Sequence, residues 1–295
     1  MNTTDIHSFI DLHTHSTFSD GTYTPEEIVK EAVSKNLSAV ALTDHDCVFG
    51  LEDFIKAGKK YGIETIKGIE LASYFQSEFI DKKVEIHIVG LFIDNKNKAL
   101  LDKTQTILDQ RIDRNKKMVA HLTELGFPMT YDELVAVAGH DHCSRTHYAL
   151  LMVQKGYVKD KAEAFEKYFA AGMPAYVPRI LPTPSECVRL IKDAGGIPIL
   201  AHPTLYRLTD EQIELMVRDL KECGIEGIET MYSTYTPEQQ KYILSLSEKY
   251  NLVKSGGSDF HGLNKAGIYL GTGKGNLAVP KSYLDGLKEW RNRNV

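Results

Sequence analysis

Two histidines separated by one residue, His13 and His15, stand at the end of the first predicted strand, in the segment DLHTH. Alternate residues of a β-strand point to the same face, so both imidazoles can reach a single metal ion. Pairs of this kind also occur in proteins without a metal. The pair by itself therefore leaves a metal site and a structural role equally open.

Histidines and carboxylates also stand at or near the ends of other predicted strands. His45 closes the second strand in TDHD, and Glu70 closes the third in GIE. A single buried histidine is usually a hydrogen-bonded core residue, and a carboxylate after a strand usually caps a helix. That explanation would have to hold independently at every strand end. Clustered imidazoles and carboxylates are costly to desolvate unless divalent cations compensate them. The other candidate metal ligands are Asp20, His87, His202, Asp259 and His261.

The elements that must position these residues alternate between short strands and amphipathic helices, which is typical of parallel βα units. Helix starts are marked by a capping threonine with Glu or Gln three residues later, at Thr24, Thr183 and Thr236. Seven strands favour a closed barrel, whose strands would deliver the predicted ligands to one rim. The predicted strands cover residues 8–13, 38–43, 64–70, 84–93, 197–202, 224–230 and 252–259.

The segment 98–177 breaks this alternation and predicts a helical insertion. An apolar stripe from Leu101 to Leu125 indicates a long helix, and two shorter helices are predicted at 131–138 and 161–170. We expect this insertion to cap one end of the barrel. The predicted division of the chain is a first barrel part at 1–97, the insertion at 98–177 and a second barrel part at 178–295.

The composition excludes several other classes of protein. The chain has 295 residues, of which 42% are hydrophobic, so it can bury a sizeable core. No apolar run approaches the roughly 20 residues that cross a bilayer, and no secretory signal is recognisable, so we expect a cytoplasmic protein. The four cysteines form no C-x-x-C pair, which argues against disulfides and thiolate zinc sites. A net charge of −5 without a basic tract argues against binding nucleic acid by electrostatics alone.

The motifs DLHTHSTFSDGTYTPEEIV, TDHD, GIELA, HIVG, AHP and GSDFHG, in this order, resemble the polymerase-and-histidinol-phosphatase (PHP) superfamily. The resemblance covers nearly the whole chain. It implies an α/β fold, a distorted (β/α)7 barrel, with a trinuclear metal centre. Mixed imidazole and carboxylate ligands suit two to three divalent ions of Mn, Zn or Fe better than Mg alone.

The resemblance also implies which residues hold each ion and what the ions do. The first ion would be held by His13, His15, Glu70 and Asp259, the second by Glu70, His87 and His202, and the third by Asp20, His45 and His261. A metal-bridging hydroxide would hydrolyse a phosphomonoester, and no protein nucleophile would be required. All nine positions are filled, which argues against an inactive copy.

The insertion resembles the branch of nucleoside 3′,5′-bisphosphate phosphatases and related 5′-end RNA trimming enzymes, in RIDRNKKMVAHLTELGF, SRTHYALLMVQKGYV and AYVPR. Arg145 and His147 match the Arg and His of the G-R-P-H motif of that branch, whereas Thr146 replaces the proline. With Arg179, they are the predicted substrate-binding residues, because a guanidinium can hold a phosphate through two hydrogen bonds. For each arginine the alternative is a surface ion pair worth about 0–1 kcal/mol.

Several alternatives remain open at this point. The predicted ligand is a small phosphorylated molecule, a nucleotide in the first place, with short RNA as the second possibility, and no obligate protein partner is indicated. A histidinol-phosphate or other small-molecule phosphatase, a 5′→3′ exoribonuclease and a non-catalytic metal-stabilised module are the competing functions. Asp44 and Asp46 are predicted to orient other residues or cap a helix. His140 and His142 are predicted to lie at a loop or pocket edge rather than to hold a fourth metal.

Overall fold

A computed structural model of the protein describes residues 8–141 and 143–294. Eight strands form one sheet in the order β7-β6-β5-β4-β3-β2-β1-β8. The strands are β1 (Phe9–Asp11), β2 (Ala39–Leu42), β3 (Glu64–Ser77), β4 (Ile80–Leu91), β5 (Ile197–Leu200), β6 (Gly227–Tyr232), β7 (Val253–Gly257) and β8 (Val279–Pro280).

The sheet curls into a nearly closed barrel, because backbone hydrogen bonds also join β1 to β7. Leu12 N donates to Gly256 O at 3.2 Å, and Asp259 N donates to His13 O at 2.9 Å. The predicted α/β barrel is therefore confirmed, and all seven predicted strands are present. The eighth strand is a two-residue addition that pairs antiparallel with β1.

The expectation that every strand runs parallel and ends at one rim was wrong for β4. This strand pairs antiparallel with both β3 and β5. The reason is that β3 and β4 are joined by a short turn between Ser77 and Ile80, and a tight turn can only link antiparallel neighbours. Both strands extend beyond the barrel as a long hairpin. Glu70 and His87 consequently lie within strands rather than at strand ends.

Ten α-helices accompany these strands in the described residues. Six belong to the barrel sequence before and after the predicted insertion, and most of their apolar faces pack on the sheet. The capping boxes predicted at Thr24, Thr183 and Thr236 are all formed. The barrel helices are α1 (Pro25–Ser34), α2 (Leu51–Tyr61), α7 (Pro184–Asp193), α8 (Asp210–Glu222), α9 (Pro237–Lys249) and α10 (Lys281–Asn294).

The segment predicted as an insertion is helical throughout and has its own apolar cluster. The long helix and both shorter ones are present, the last continuing as a π-helical turn at Phe165–Phe169. The prediction missed one helix at Arg145–Gln154, whose buried residues include polar and small side chains. The domain boundaries remain a prediction. The helices here are α3 (Lys98–Glu124), α4 (Tyr131–Ala138), α5 (Arg145–Gln154) and α6 (Lys161–Ala164).

The apolar cluster of this segment includes Met118, Leu122, Leu134, Tyr148, Met152 and Phe169. Among the described residues, no helix combines the length and the apolar character that crossing a membrane requires.

Candidate metal centre

The first histidine pair lies just beyond β1, where both rings turn into the barrel mouth. The Nε2 atoms of His13 and His15 are 3.0 Å apart, and both side chains are fully buried. Glu70 Oε2 lies 3.4 and 3.3 Å from these two atoms, and Asp259 Oδ1 lies 3.3 Å from Nε2 of His15. Four ligand atoms from three separate segments of the barrel thus face one small volume.

Glu70 stands at the centre of the cluster and uses its two oxygens differently. Oε1 lies 2.9 Å from His87 Nδ1 and 3.0 Å from His202 Nε2, whereas Oε2 lies 2.9 Å from His45 Nδ1. Burial raises the pKa of Glu70, but the charges of His87 and His45 outweigh burial and hold the pKa well below its usual range. The carboxylate is therefore ionised and placed between two sets of imidazoles.

Asp20 brings the loop after β1 to the same cluster. Its Oδ1 lies 3.2 Å from His261 Nε2 and 3.7 Å from His45 Nε2. His261 Nδ1 pairs with the backbone oxygen of Asp259 at 2.9 Å, so Nε2 is the nitrogen that faces Asp20. This orientation leaves the Nε2 lone pair available to a cation.

The structure brings all nine predicted ligands together in four groups, whose ligand atoms lie within 4.8 Å of one another. Both His87 and His202 contact Oε1 of Glu70, as the implied second site requires. The geometric groups nevertheless separate them, because His87 is grouped with His45 and His202 is grouped with His13. The groups are His15, Asp20, His45 and His261; His13, Glu70 and His202; His13, His15 and Asp259; and His45, Glu70 and His87.

These residues fit a site for divalent cations. Oδ1 of Asp20 and Oε2 of Glu70 are buried, and neither oxygen accepts a hydrogen bond from a described residue. A buried carboxylate oxygen without a donor is costly, and a divalent cation removes that cost. Imidazole nitrogens and carboxylate oxygens together are the donor set of Zn, Mn and Fe.

Two buried carboxylates that support the cluster were missed by the sequence prediction. Glu229, on β6, is 1% exposed, and its two oxygens accept from His13 Nδ1 and the backbone N of His202, each at 2.8 Å. Asp11 accepts from the backbone of Ser258 at 2.9 Å and from that of Gly271 at 2.7 Å. The signal that could have found them is a carboxylate inside an otherwise apolar strand, which needs a buried partner.

Asp259 is also held from outside the cluster. Its Oδ2 accepts from Tyr232 Oη at 2.6 Å and pairs with Lys265 Nζ. Both partners went unnoticed in the sequence, since neither belongs to a metal-binding motif. Together they fix one carboxylate oxygen, so that Oδ1 is the one that faces the histidines.

Asp44 and Asp46 position other groups, in keeping with the role expected of them. Asp44 accepts from the backbone N and Oγ of Ser16 at 2.7 Å and from Ser19 Oγ at 2.6 Å, which holds the loop that carries Asp20. Asp46 accepts from the backbone N of Ala72 at 3.1 Å.

Three residues of this rim have a left-handed backbone, namely Asp46, His202 and Asp259, with φ of 54°, 30° and 55°. Such conformations are strained for these residue types and are concentrated at functional sites. At these three residues the surrounding contacts must therefore impose the left-handed conformation.

A cavity of about 230 Å³ opens directly from the ligand cluster. The barrel contributes ligand residues and Glu85 to its walls, while the helical segment contributes arginines and the start of α5. The lining residues are Asp20, His45, Glu85, His87, Arg111, Arg114, Cys143, Ser144, Arg145, Thr146, Phe165 and Arg179.

Of the three predicted substrate-binding residues, Arg145 and Arg179 line this cavity. The guanidinium carbon of Arg145 lies 6.0 Å from the ring centres of Phe165 and Tyr176. Arg179 donates to Asp46 Oδ2 at 2.6 Å and to Glu85 Oε1 at 2.9 Å. Both arginines therefore line the cavity that opens from the metal-binding side chains, and their role in substrate binding remains a prediction.

His147 has a different environment. It is buried, and its Nδ1 accepts from the backbone N of Ser144 at 3.0 Å, which caps the start of α5. Burial and the charge of His140 lower the pKa of His147 to about 4, so the ring is neutral. It is not among the described residues that line the cavity, and its role in substrate binding remains a prediction.

The second histidine pair is only partly described, because His142 lies outside the described residues. The ring of His140 is 5.8 Å from that of His147. Among the described residues, His140 belongs to none of the four groups of metal-binding side chains. The expectation of a position near the pocket edge remains a prediction.

Comparison with known proteins places this geometry in a family. The chain is 33% identical over 263 residues to the 3′,5′-nucleoside bisphosphate phosphatase of Chromobacterium violaceum, covering 89% of this chain and 90% of that protein. It is 34% identical over 254 residues to a 5′-3′ exoribonuclease of Haemophilus influenzae, covering 85% and 89%.

A solved structure from Bifidobacterium adolescentis superimposes with a TM-score of 0.81 at 28% identity, over 95% of each chain. The protein of that structure is described as a metal-dependent phosphoesterase. The PHP domain signature matches residues 11–181, a span that includes six of the nine candidate ligands. Since both the signature and the full-length relatives match, the chain belongs to the PHP domain family.

Proposed function

We propose that this PHP-family phosphoesterase hydrolyses phosphomonoesters of nucleotides, with nucleoside 3′,5′-bisphosphates as its preferred substrates. The observation that carries the proposal is the lining of the cavity, where metal-binding side chains and arginines face the same space. A ligand with two separate phosphate groups can contact the metal site with one phosphate and arginines with the other. A ligand with one phosphate can make only one of these contacts.

The nine clustered side chains are the proposed ligands of two to three ions of Mn, Zn or Fe. Bound divalent ions would lower the pKa of water toward about 7, polarise the phosphoryl oxygens and neutralise charge on the leaving oxygen. Glu229 would keep the proton of His13 on Nδ1, and so leave Nε2 free to bind. Tyr232 would orient Asp259 by donating a hydrogen bond to its Oδ2, and so leave Oδ1 free to bind.

Water is the proposed nucleophile. Hydrolysis breaks the bond between phosphorus and the ester oxygen and forms one between phosphorus and the oxygen of water, whose proton ends on the leaving alcohol. The thiol of Cys143 lines the cavity, but burial and the charge of Asp141 raise its pKa to about 12. At neutral pH this thiol is protonated and a poor nucleophile.

The relatives support this proposal and also supply its alternative. The Chromobacterium protein bears the name of the proposed activity, whereas the Haemophilus protein, of nearly equal identity, is named an exoribonuclease. Hydrolysis of the terminal nucleotide linkage of a short RNA would use the same cluster on a phosphodiester. The small volume of the cavity between barrel and helices, about 230 Å³, favours the small substrate.

The test is phosphate release by protein with Mn²⁺ against a panel of substrates. The panel holds adenosine 3′,5′-bisphosphate, 5′-AMP, 3′-AMP, histidinol phosphate and a 5′-phosphorylated oligoribonucleotide, the last followed by release of mononucleotides. We expect the bisphosphate to have the highest kcat/KM. If histidinol phosphate or the oligonucleotide is the best substrate, the proposed preference is wrong.

A further inference from the structure

The four arginines of the cavity fall into two pairs with different partners. In the first pair, Arg111 and Arg179 share Oδ2 of Asp46, at 2.5 and 2.6 Å, and Arg179 also contacts Glu85 at 2.9 Å. Two guanidinium groups therefore meet two carboxylates. Their charges are balanced within the protein, and the four side chains brace the cavity wall.

The second pair, Arg114 and Arg145, contacts backbone carbonyl groups instead. Arg114 Nε donates to Val177 O at 2.8 Å, and Arg145 Nη1 donates to Phe169 O at 3.2 Å. In the part of the chain that the structure describes, neither forms an ion pair with a carboxylate. A carbonyl group orients a guanidinium but does not neutralise its charge.

Arg114 is the more unusual member of this second pair. It is 7% exposed, and its Nη2 has no hydrogen-bond partner among the described residues. Burial, and then the charges of Arg179 and Arg145, lower the pKa of Arg114 to about 10. A buried cation without a counter-charge is destabilising unless something compensates it. An anionic ligand in the cavity would provide that compensation.

Arg145 is placed to make the direct contact. It is partly exposed, and the rings of Phe165 and Tyr176 flank its guanidinium at 6.0 Å. Aromatic rings hold a guanidinium in a fixed plane and leave its edge donors available. The result is an oriented donor beside a buried positive charge.

We propose that Arg114 and Arg145 form a second anion subsite, whose two guanidinium groups, neither paired with a carboxylate in the described residues, match a terminal phosphate group of the substrate. A terminal phosphate carries nearly two negative charges at neutral pH, whereas a phosphodiester carries one. The proposal rests on the proposed function and adds to it a specificity-determining residue, Arg114. It also gives Arg111 and Arg179 a structural role, in which they stabilise the cavity wall through Asp46 and Glu85.

The first experiment changes the substrate and needs no variant. We compare adenosine 3′,5′-bisphosphate with its two analogues in which one phosphate, at the 3′ or the 5′ position, is a methyl ester. The subsite predicts that methylation of the non-reacting phosphate lowers kcat/KM by about 10-fold or more, because one charge-assisted contact is lost. Equal kcat/KM values for the bisphosphate and for the analogue with a methylated non-reacting phosphate would refute the proposal that the subsite binds a dianionic phosphate.

The second experiment changes the protein. Arg114→Gln removes the charge, Arg114→Lys keeps it, and Arg189→Gln, at an exposed position on α7, is the matched control. In wild type and in Arg189→Gln, we expect the bisphosphate to exceed the better monophosphate by about 10- to 100-fold in kcat/KM. In Arg114→Gln that ratio should fall to about 3-fold or less, and Arg114→Lys should restore part of it.

Calorimetric titration with 5′-AMP and with adenosine separates this inference from the proposed function. Wild type should bind 5′-AMP more tightly than adenosine, and Arg114→Gln should lose most of that difference. If no substrate releases phosphate but the binding difference depends on Arg114, the proposed function fails and the subsite stands. If the bisphosphate preference survives in Arg114→Gln, or the binding difference does, the subsite is refuted.

Discussion

Glu70 is the residue on which the proposed metal site most depends, because each of its oxygens faces a different set of imidazoles. Glu229 is its natural counterpart. Both are glutamates, both are at most 1% exposed, and both contact His13. They differ in the nitrogen of His13 that they approach: Glu70 approaches Nε2, which faces the cluster, whereas Glu229 approaches Nδ1, on the far side of the ring.

This difference yields a prediction for one matched pair of substitutions. Glu70→Gln removes a negative charge shared by the cations, so we expect loss of at least one bound ion and of nearly all activity. Glu229→Gln keeps a hydrogen-bond acceptor for His13, and we expect about a 10- to 100-fold weaker metal affinity or activity. Elemental analysis and phosphate release measure both. Equal losses in the two variants would show that Glu70 has no bridging role.

At the scale of an element, helix α5 begins with a cap that can titrate. The neutral ring of His147 accepts a hydrogen bond from Ser144 N, and a protonated ring could not. The unfolded chain has a histidine pKa near 6.5, and in the folded protein it is about 4. As pH falls from 6.5 to 4, the unfolded state binds the proton first, and this contribution to stability is progressively lost.

The predicted loss between pH 6.5 and pH 4 is at most about 3 kcal/mol. His147→Gln is the informative variant, because glutamine at the third helical position also completes a capping box and does not titrate. Thermal melting between pH 7 and pH 4.5 should therefore show a shallower fall in stability for His147→Gln than for wild type. Parallel curves would mean that His147 does not contribute to the acid sensitivity.

At the scale of the whole molecule, the candidate ligands tie together segments that are distant in sequence. Residues that follow β1, β2, β5 and β7 meet residues within β3 and β4, so the cluster closes the mouth of the barrel. Without cations, the carboxylates at its centre repel one another in a desolvated space. The metals should consequently stabilise the fold as well as serve the reaction.

Protein purified without chelator should carry two to three transition-metal ions per chain. Exhaustive chelation should abolish phosphate release and lower the melting midpoint on the order of 10 °C, because ions bound well above their Kd add about 4 kcal/mol. Mn²⁺ should restore both the activity and the melting midpoint. Chelation of the Glu70→Gln variant should lower its melting midpoint by less than in wild type. Full activity in metal-free protein would contradict the proposed mechanism.

The convergence of the nine candidate ligands was readable from the sequence because their types and positions follow local rules. His13 and His15 are two residues apart at the end of the first strand, His45 and His202 follow short apolar runs, and Asp259 ends the last predicted strand. Threonine–glutamate capping boxes likewise marked helix starts from four residues alone. Local patterns of this kind depend on backbone geometry that is the same in every protein.

What depends on packing across the chain was decided only by the tertiary structure. The antiparallel course of β4 comes from its hairpin with β3, and Glu229 became a partner of His13 because β6 lies opposite β1 in the closed barrel. Arg114 and Arg145 share a cavity because the helical segment folds over the barrel rim. Their 31-residue separation in the sequence has no periodicity that signals a contact. The sequence by itself determined the chemistry of the centre, whereas the cavity that selects a substrate exists only where distant segments meet.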